Sequence, residues 1–163
     1  MKQYLWNIRQ SSDQRIYFSS KDRCSELKTD SIKTNVRRTA SNNATKMARF
    51  AIPMARTRAQ RHDAVERFFL MNDSTTFATE VPVYLTKCEG GEFDINIQEN
   101  LTGHIDIIQF RNNRIYIMDF KPDQDPSLAS QQLSLYRLAL SKRTNIAIKD
   151  LACAAFLQTA TAV

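Results

Sequence analysis

Two aspartates and a lysine stand inside an otherwise apolar stretch of this chain. Between Gly103 and Lys121 the sequence runs as two hydrophobic segments joined by Asn112-Asn113; Asp106 interrupts the first, and Asp119 and Lys121 close the second. A carboxylate buried among apolar neighbours is costly, or takes up a proton, unless a cation or an ion pair compensates it. The chemistry that suits such a trio is the holding of a divalent cation by hard carboxylate oxygens, with an ammonium beside it.

These residues can act together only if the strands bring them together. Side chains two apart on a strand share a face, so Asp119 and Lys121 are expected to lie with Ile115 and Ile117. On the first strand Asp106 is expected with His104, Ile108 and Phe110, while Ile105 and Ile107 face the other way. Asn tolerates positive φ, and a two-residue Asn-Asn link between β-rich runs signals a hairpin. With that loop, Arg111 pairs with Arg114 and Asp106 falls opposite Asp119, two like charges that call for a cation between them.

The flanking elements read as follows. Met54 to Met71 has helical spacing, with Pro53 suited to its first turn and Ala55, Ala59, His62, Val65, Glu66 and Phe69 along one side. Phe77 to Thr86 reads as a strand carrying Glu80, with Pro82 as an edge signal. Glu89-Gly-Gly-Glu92 reads as a turn and Phe93 to Gln98 as a further strand. After a loop at Pro122–Pro126, Ser127 is the expected N-cap of a helix that ends near Lys142. Gln132 and Tyr136 are one turn apart on it and project together. Leu151 to Thr161 reads as a last strand. Tyr4–Ile8 and Arg15–Phe18 fit short strands or helix starts equally, and Ser19 to Thr45 fits either a helix or a polar loop. The order of elements predicts an α/β fold, a mixed central sheet flanked by helices.

A chain of 163 residues suits one domain with a sizeable core. Cys24, Cys88 and Cys153 are odd in number and lack metal-finger spacing, which indicates reduced thiols rather than a disulfide framework. No apolar run approaches the roughly 20 residues of a membrane span, and the N-terminus lacks a signal-peptide core; a soluble, cytoplasmic protein is expected. The net charge of +6 is unevenly placed: residues 1–67 hold 15 Lys/Arg against 6 Asp/Glu, and residues 68–163 hold 8 against 11. A basic half beside an acidic-centred half suits a partner that is a polyanion.

Four segments, taken in order, resemble the PD-(D/E)XK nuclease superfamily, and within it the RecB-like branch that includes CRISPR-associated and small archaeal-virus exonucleases. Asp119-Phe120-Lys121 resembles the (D/E)-x-K strand end, Gly103-His-Ile-Asp106 the G-x-x-D strand, Gln132-Leu-Ser-Leu-Tyr136 the Q-x-x-x-Y helix, and His62 with Glu66 the H-x-x-x-E helix. The resemblance covers about residues 54–160, leaving 1–53 as a basic N-terminal portion. It implies a restriction-endonuclease-like core and a Mg²⁺- or Mn²⁺-dependent deoxyribonuclease acting on single- or double-stranded DNA, in the host cytoplasm if the source is viral.

By that resemblance His62, Asp106, Asp119 and the backbone carbonyl of Phe120 would be metal ligands. Lys121 would assist hydrolysis, Gln132 and Tyr136 would border the reacting phosphate, and Glu66 and Glu80 would support the ligands, with Glu80 equally suited to be one. Arg49, Arg56, Arg58 and Arg61, with the segment Lys33–Arg38, are the residues suited to phosphate contacts. The proline that often precedes the first acid of the motif is missing, as are the cysteines that hold an iron–sulfur cluster in several relatives.

Each residue also has an ordinary reading. Asp106, Asp119 and Lys121 fit solvated hairpin charges, His62 and Glu66 a polar helix face, and Gln132 and Tyr136 an amphipathic helix resting on the core. The alternatives to a nuclease are a catalytically silent DNA-binding module of the same fold and an interaction protein with a basic recruiting segment.

Overall fold

The computed structural model describes residues 1–10, 20–27, 32, 37, 42–57, 59–121 and 126–157. Arg15–Phe18, most of Lys33–Arg38, Arg58, the Pro122–Asp125 loop and the end of the last strand lie outside them.

The elements are α1 (Lys2–Gln10), β1 (Asp22–Arg23), α2 (Asn43–Ala51) followed by a 3₁₀ turn (Ile52–Met54), α3 (Gln60–Asn72), β2 (Thr76–Leu85), α4 (Lys87–Glu92), β3 (Leu101–Arg111), β4 (Arg114–Lys121), α5 (Pro126–Thr144) and β5 (Leu151–Leu157). They build the expected mixed sheet flanked by helices. β3 is its hub, paired antiparallel with β2 and β4 and parallel with β1; β5 lies parallel on the far side of β4.

The hairpin closes as its sequence requires. Asn112 and Asn113 both adopt positive φ, 50° and 58°, the conformation that matches strand twist in a two-residue loop. Arg111 pairs with Arg114, and the register continues to Ile107 opposite Met118.

Two apolar clusters cover the two faces of the sheet. The larger joins Val81, Val83, Ile105, Ile108 and Ile117 to Leu133, Leu135, Ala139 and Leu140 of α5. The smaller joins Ile107, Met118, Phe120 and Phe156 to Val65 and Phe69 of α3 and to Ala48 and Ala51 of α2. Strict alternation on β3 is therefore interrupted. Ile105 and Ile108 serve one cluster and Ile107 the other, contrary to the expected common face of Ile105 and Ile107. The break coincides with Asp106. Across from it on β2, between Thr79↔Ile107 and Val81↔Ile105, Glu80 has φ 50°. A non-glycine residue in that region costs about 1–3 kcal/mol and persists only where its surroundings fix it.

Three other elements depart from expectation. The helix expected from Met54 begins at Gln60; Pro53 instead lies in the 3₁₀ turn that ends α2, where its fixed φ suits the tighter winding. Glu89–Glu92 is part of a helix, not a turn. Thr86 accepts from the Glu89 N–H at 3.3 Å, and Glu89 accepts from the Thr86 N–H at 2.8 Å, a reciprocal cap that starts α4 despite its two glycines. Phe93–Gln98 is irregular, although Ile95 and Ile97 are buried. Tyr4–Ile8 takes the helical one of its two expected forms, and the Tyr4 hydroxyl donates to the Pro82 carbonyl at 2.7 Å.

Asp73 ties α3 to the start of β2. Its carboxylate accepts from the Thr75 N–H (3.1 Å), the Thr75 and Thr76 hydroxyls, and the Nε2 of buried Gln109 (2.5 Å). Burial, the largest single influence, pushes its pKa up, but these hydrogen bonds together outweigh it and hold the pKa below the ordinary value. Asp73→Ala is expected to cost roughly 1–3 kcal/mol, because it leaves the buried Gln109 amide with only its longer 3.3 Å bond to the Thr76 hydroxyl. A lowered carboxylate pKa stabilises above the unfolded value and loses that effect as pH falls through the folded one. Urea unfolding of wild type and variant at neutral pH should therefore show a gap that closes in acid. A gap independent of pH would remove the carboxylate's charge from the explanation.

Candidate active site

α3 carries His62 and Glu66 four residues apart, so both project from one side of the helix. The buried side of that helix, Val65 and Phe69, rests on the sheet, which turns His62 and Glu66 toward the middle of β3. There Asp106 meets them. One ligand atom from each of His62, Glu66 and Asp106 lies within 4.8 Å of the others. His62 is fixed further by the edge of its ring against Phe120, with centroids 5.2 Å apart.

The β3–β4 ladder stops one step short of Asp106. The Asp106 Oδ2 there accepts from the backbone N–H of Phe120 at 2.8 Å, so a side chain replaces the next ladder bond. The same oxygen lies 3.7 Å from His62 Nδ1. That distance is a charge contact rather than a hydrogen bond, and the neighbouring carboxylate raises the imidazole's pKa despite partial burial.

Asp119 and Lys121 follow on β4. Asp119 is fully buried, and its Oδ2 faces the Nζ of buried Lys121 at 3.1 Å. Burial first, then the like charge of Asp106, push the Asp119 pKa up to about 7, against the pull of Lys121. Glu66 is pushed up to about 9, by burial first and then by Glu80. These carboxylates lie closer together than their charges favour, as metal sites require before the cation arrives.

The donor set fits a divalent cation. Glu66 Oε1 and Asp119 Oδ1 are buried without a hydrogen-bond partner, and Asp119 Oδ2 has only the Lys121 ammonium beside it. Orphaned oxygens of this kind are uncommon in folded proteins and need an explanation. Three carboxylates with one imidazole form a hard, anionic set suited to Mg²⁺ or Mn²⁺, the imidazole favouring Mn²⁺.

Gln132 and Tyr136 of α5 close the other side. Gln132 Nε2 donates to the Tyr136 hydroxyl at 2.7 Å, and both residues are buried. Tyr136 lies so close over Gly103 that a Cβ there would overlap its Cε1 and come within 3.0 Å of its hydroxyl. Gly103 is thus required by the tyrosine ring, not by backbone conformation. Gly103→Ala is expected to cost about 1–3 kcal/mol through overpacking. Coupling it with Tyr136→Leu should recover part of that loss in thermal unfolding. Equal losses in the single and double variants would show that the ring is not the obstacle.

The structure therefore brings His62, Glu66, Asp106, Asp119, Phe120 and Lys121 together, with Gln132 and Tyr136 beside them. Glu66 stands among the ligand-bearing groups rather than behind them; its spacing from His62 was the signal in the sequence. Asp119 lies next to that trio but outside it, turned toward Lys121. Glu80, exposed on β2, influences Glu66 across the site. Arg49 and Arg56 are exposed on α2 and on the segment before α3, and Arg61 is half-buried beside His62.

A family model for the PD-(D/E)XK nuclease superfamily matches residues 14–159, most of the chain. The chain belongs to the PD-(D/E)XK nuclease superfamily. No curated protein matches it significantly. Within that match, the acids on β3 and β4 and the lysine two residues on share one site with a group of side chains able to hold a metal. No helix among the described residues is long and apolar enough to cross a membrane.

Proposed function

We propose that this PD-(D/E)XK chain is a Mg²⁺- or Mn²⁺-dependent deoxyribonuclease of the RecB-like branch, formed as a single domain with its catalytic residues between 54 and 160. The observation that carries the reading is the convergence of His62, Glu66 and Asp106 beside the buried Asp119–Lys121 pair. His62, Glu66, Asp106 and Asp119 would hold the cation, with the Phe120 carbonyl as a further oxygen. When bound, it would neutralise charge on the phosphate and make water more acidic.

The chain's own groups do the rest. The Phe120 N–H fixes the orientation of Asp106, and Phe120 packs against the His62 ring. The two helix- and strand-borne donors are thereby held before substrate arrives, which lowers the cost of reaching the reactive geometry. Lys121 brings a positive charge to phosphate oxygens whose charge builds as water attacks phosphorus and the bond to the departing sugar oxygen breaks. Gln132 and Tyr136, already bonded to one another, offer polar groups at the border of the phosphate. Arg49, Arg56, Arg58 and Arg61 supply charge for the strand's backbone.

Purified protein incubated with linear and closed circular DNA, with Mg²⁺, Mn²⁺ or EDTA, tests this reading. Metal-dependent cleavage is expected, and digestion of closed circles would add internal cutting to end-dependent cutting. Salt-sensitive binding without cleavage under every metal condition would favour the silent binding module instead.

A further inference from the structure

Residues 31–62 contain eight Lys/Arg and no Asp or Glu. This acid-free stretch includes α2, the 3₁₀ turn and the first residues of α3, and it ends on His62. Within α2, Ala48 and Ala51 are buried against α3 and the sheet, so the opposite side faces solvent. Phe50 in α2 is 72% exposed, and Met54, in the 3₁₀ turn that follows, is 70% exposed. Burying either in the core would have been favourable, but Ala48 and Ala51, with Met47 and Ile52 packed beside them, hold the inward positions instead. The segment is anchored where it stands: the Asn42 side chain caps α2 through the Thr45 N–H at 2.8 Å, and the Arg56 N–H donates to Gln60 Oε1 at 3.1 Å at the start of α3. α2 and the 3₁₀ turn both pack against the helix that bears His62, and packed helices stand about 8–10 Å apart.

An exposed aromatic ring in a segment that carries cations and no acid is the combination that binds single strands. Cations follow the backbone while a ring face takes an unpaired base. A duplex keeps its bases stacked inside and offers such a ring only its phosphates and groove edges.

We propose that the Phe50–Met54 face is a base-stacking platform that selects single-stranded DNA, or a frayed single-stranded end, for the neighbouring centre. Phe50 stacks on a base, Met54 packs against its edge, and Arg49, Arg56 and Arg61 follow the phosphates. The inference rests on the nuclease reading for its choice of DNA, but its test does not need cleavage.

In EDTA, fluorescence anisotropy would compare a labelled oligothymidine with a duplex of equal length, against wild type, Phe50→Ala and Met54→Ala. For Phe50→Ala the single-strand affinity is expected to fall about 5- to 150-fold, the range for losing one stacked base, with duplex affinity unchanged. Oligothymidine with abasic sites throughout should bind wild type and Phe50→Ala alike. The shift in thermal midpoint with Mn²⁺ should be the same in Phe50→Ala and wild type, which separates a lost platform from a damaged centre. Equal losses on single strand and duplex, unchanged binding, or a wild-type dimer that Phe50→Ala dissolves would each overturn the platform. Failure of the nuclease reading would show differently, as wild type that binds the single strand through Phe50 and cleaves nothing.

Discussion

Asp106→Asn is expected to leave the metal-free protein at least as stable as wild type while removing its response to metal and its hydrolysis of DNA. In the wild type, Asp106 serves His62, the Phe120 N–H and the group of ligand atoms at once. Asparagine retains an oxygen for the Phe120 N–H, so the local fold survives. It removes one negative charge from beside Glu66 and Asp119, each of which is disfavoured by it. Without metal, the charge is a cost; with metal, it is a ligand. Wild type with Mn²⁺ at about 100 times its dissociation constant should gain about 2.7 kcal/mol. For a chain of this size that is a rise of roughly 5–11 °C in the thermal midpoint. Asp106→Asn should lose most of this rise, and hydrolysis should fall by at least about 10²- to 10³-fold, as when one preorganised electrostatic group is removed. Thermal unfolding in EDTA and in Mn²⁺, beside a cleavage assay, reads all three effects. A variant that keeps both the metal increment and cleavage would remove Asp106 from the centre.

Lys121→Met is expected to have the largest effect on stability of any single change at the site. Lys121 and Asp119 form a buried pair at 3.1 Å, with 9% and 0% of each residue exposed. Removing one partner of such a pair typically costs about 3–5 kcal/mol, because the other is left buried and uncompensated. Asp119→Asn/Lys121→Met removes both charges and should recover much of the loss, since buried pairs are often no better than apolar or neutral replacements of like volume. Activity should not return, because phosphate hydrolysis needs both the charge and the carboxylate. A double-mutant cycle in urea, run beside the cleavage assay, checks both statements. Additive stability losses would mean that the two side chains do not act as a pair.

The two expectations contrast a stability cost with a functional need. The orphaned Glu66 Oε1 and Asp119 Oδ1 and the positive φ of Glu80 gather where they are least favourable for folding. Such concentration marks functional sites, where strain is retained for what it positions.

Much of this was legible in the chain. The Asn112-Asn113 loop and the apolar runs around it fixed the hairpin register, because a two-residue loop leaves the flanking pairs no freedom. The His62/Glu66 and Gln132/Tyr136 spacings placed each pair on one side of a helix, because helical geometry is local. The start of α3, the cap of α4 and the irregular path of Phe93–Gln98 do not follow from local pattern. Pro53 fits a 3₁₀ turn as readily as a helix start, the Thr86–Glu89 cap outweighs two glycines, and Ile95 and Ile97 can be buried without a ladder.

The sequence by itself determined which residues hold reactive groups and which neighbours share their faces, since periods of two and of about 3.6 residues are properties of the backbone. Only the tertiary structure decided how the faces meet. It interrupted the alternation of β3 at Asp106, drew Glu66 into the group of ligand atoms, turned Asp119 toward Lys121 and seated Tyr136 on Gly103. Those outcomes depend on helices packing over the sheet from residues far apart in the chain, and no local period encodes that distance.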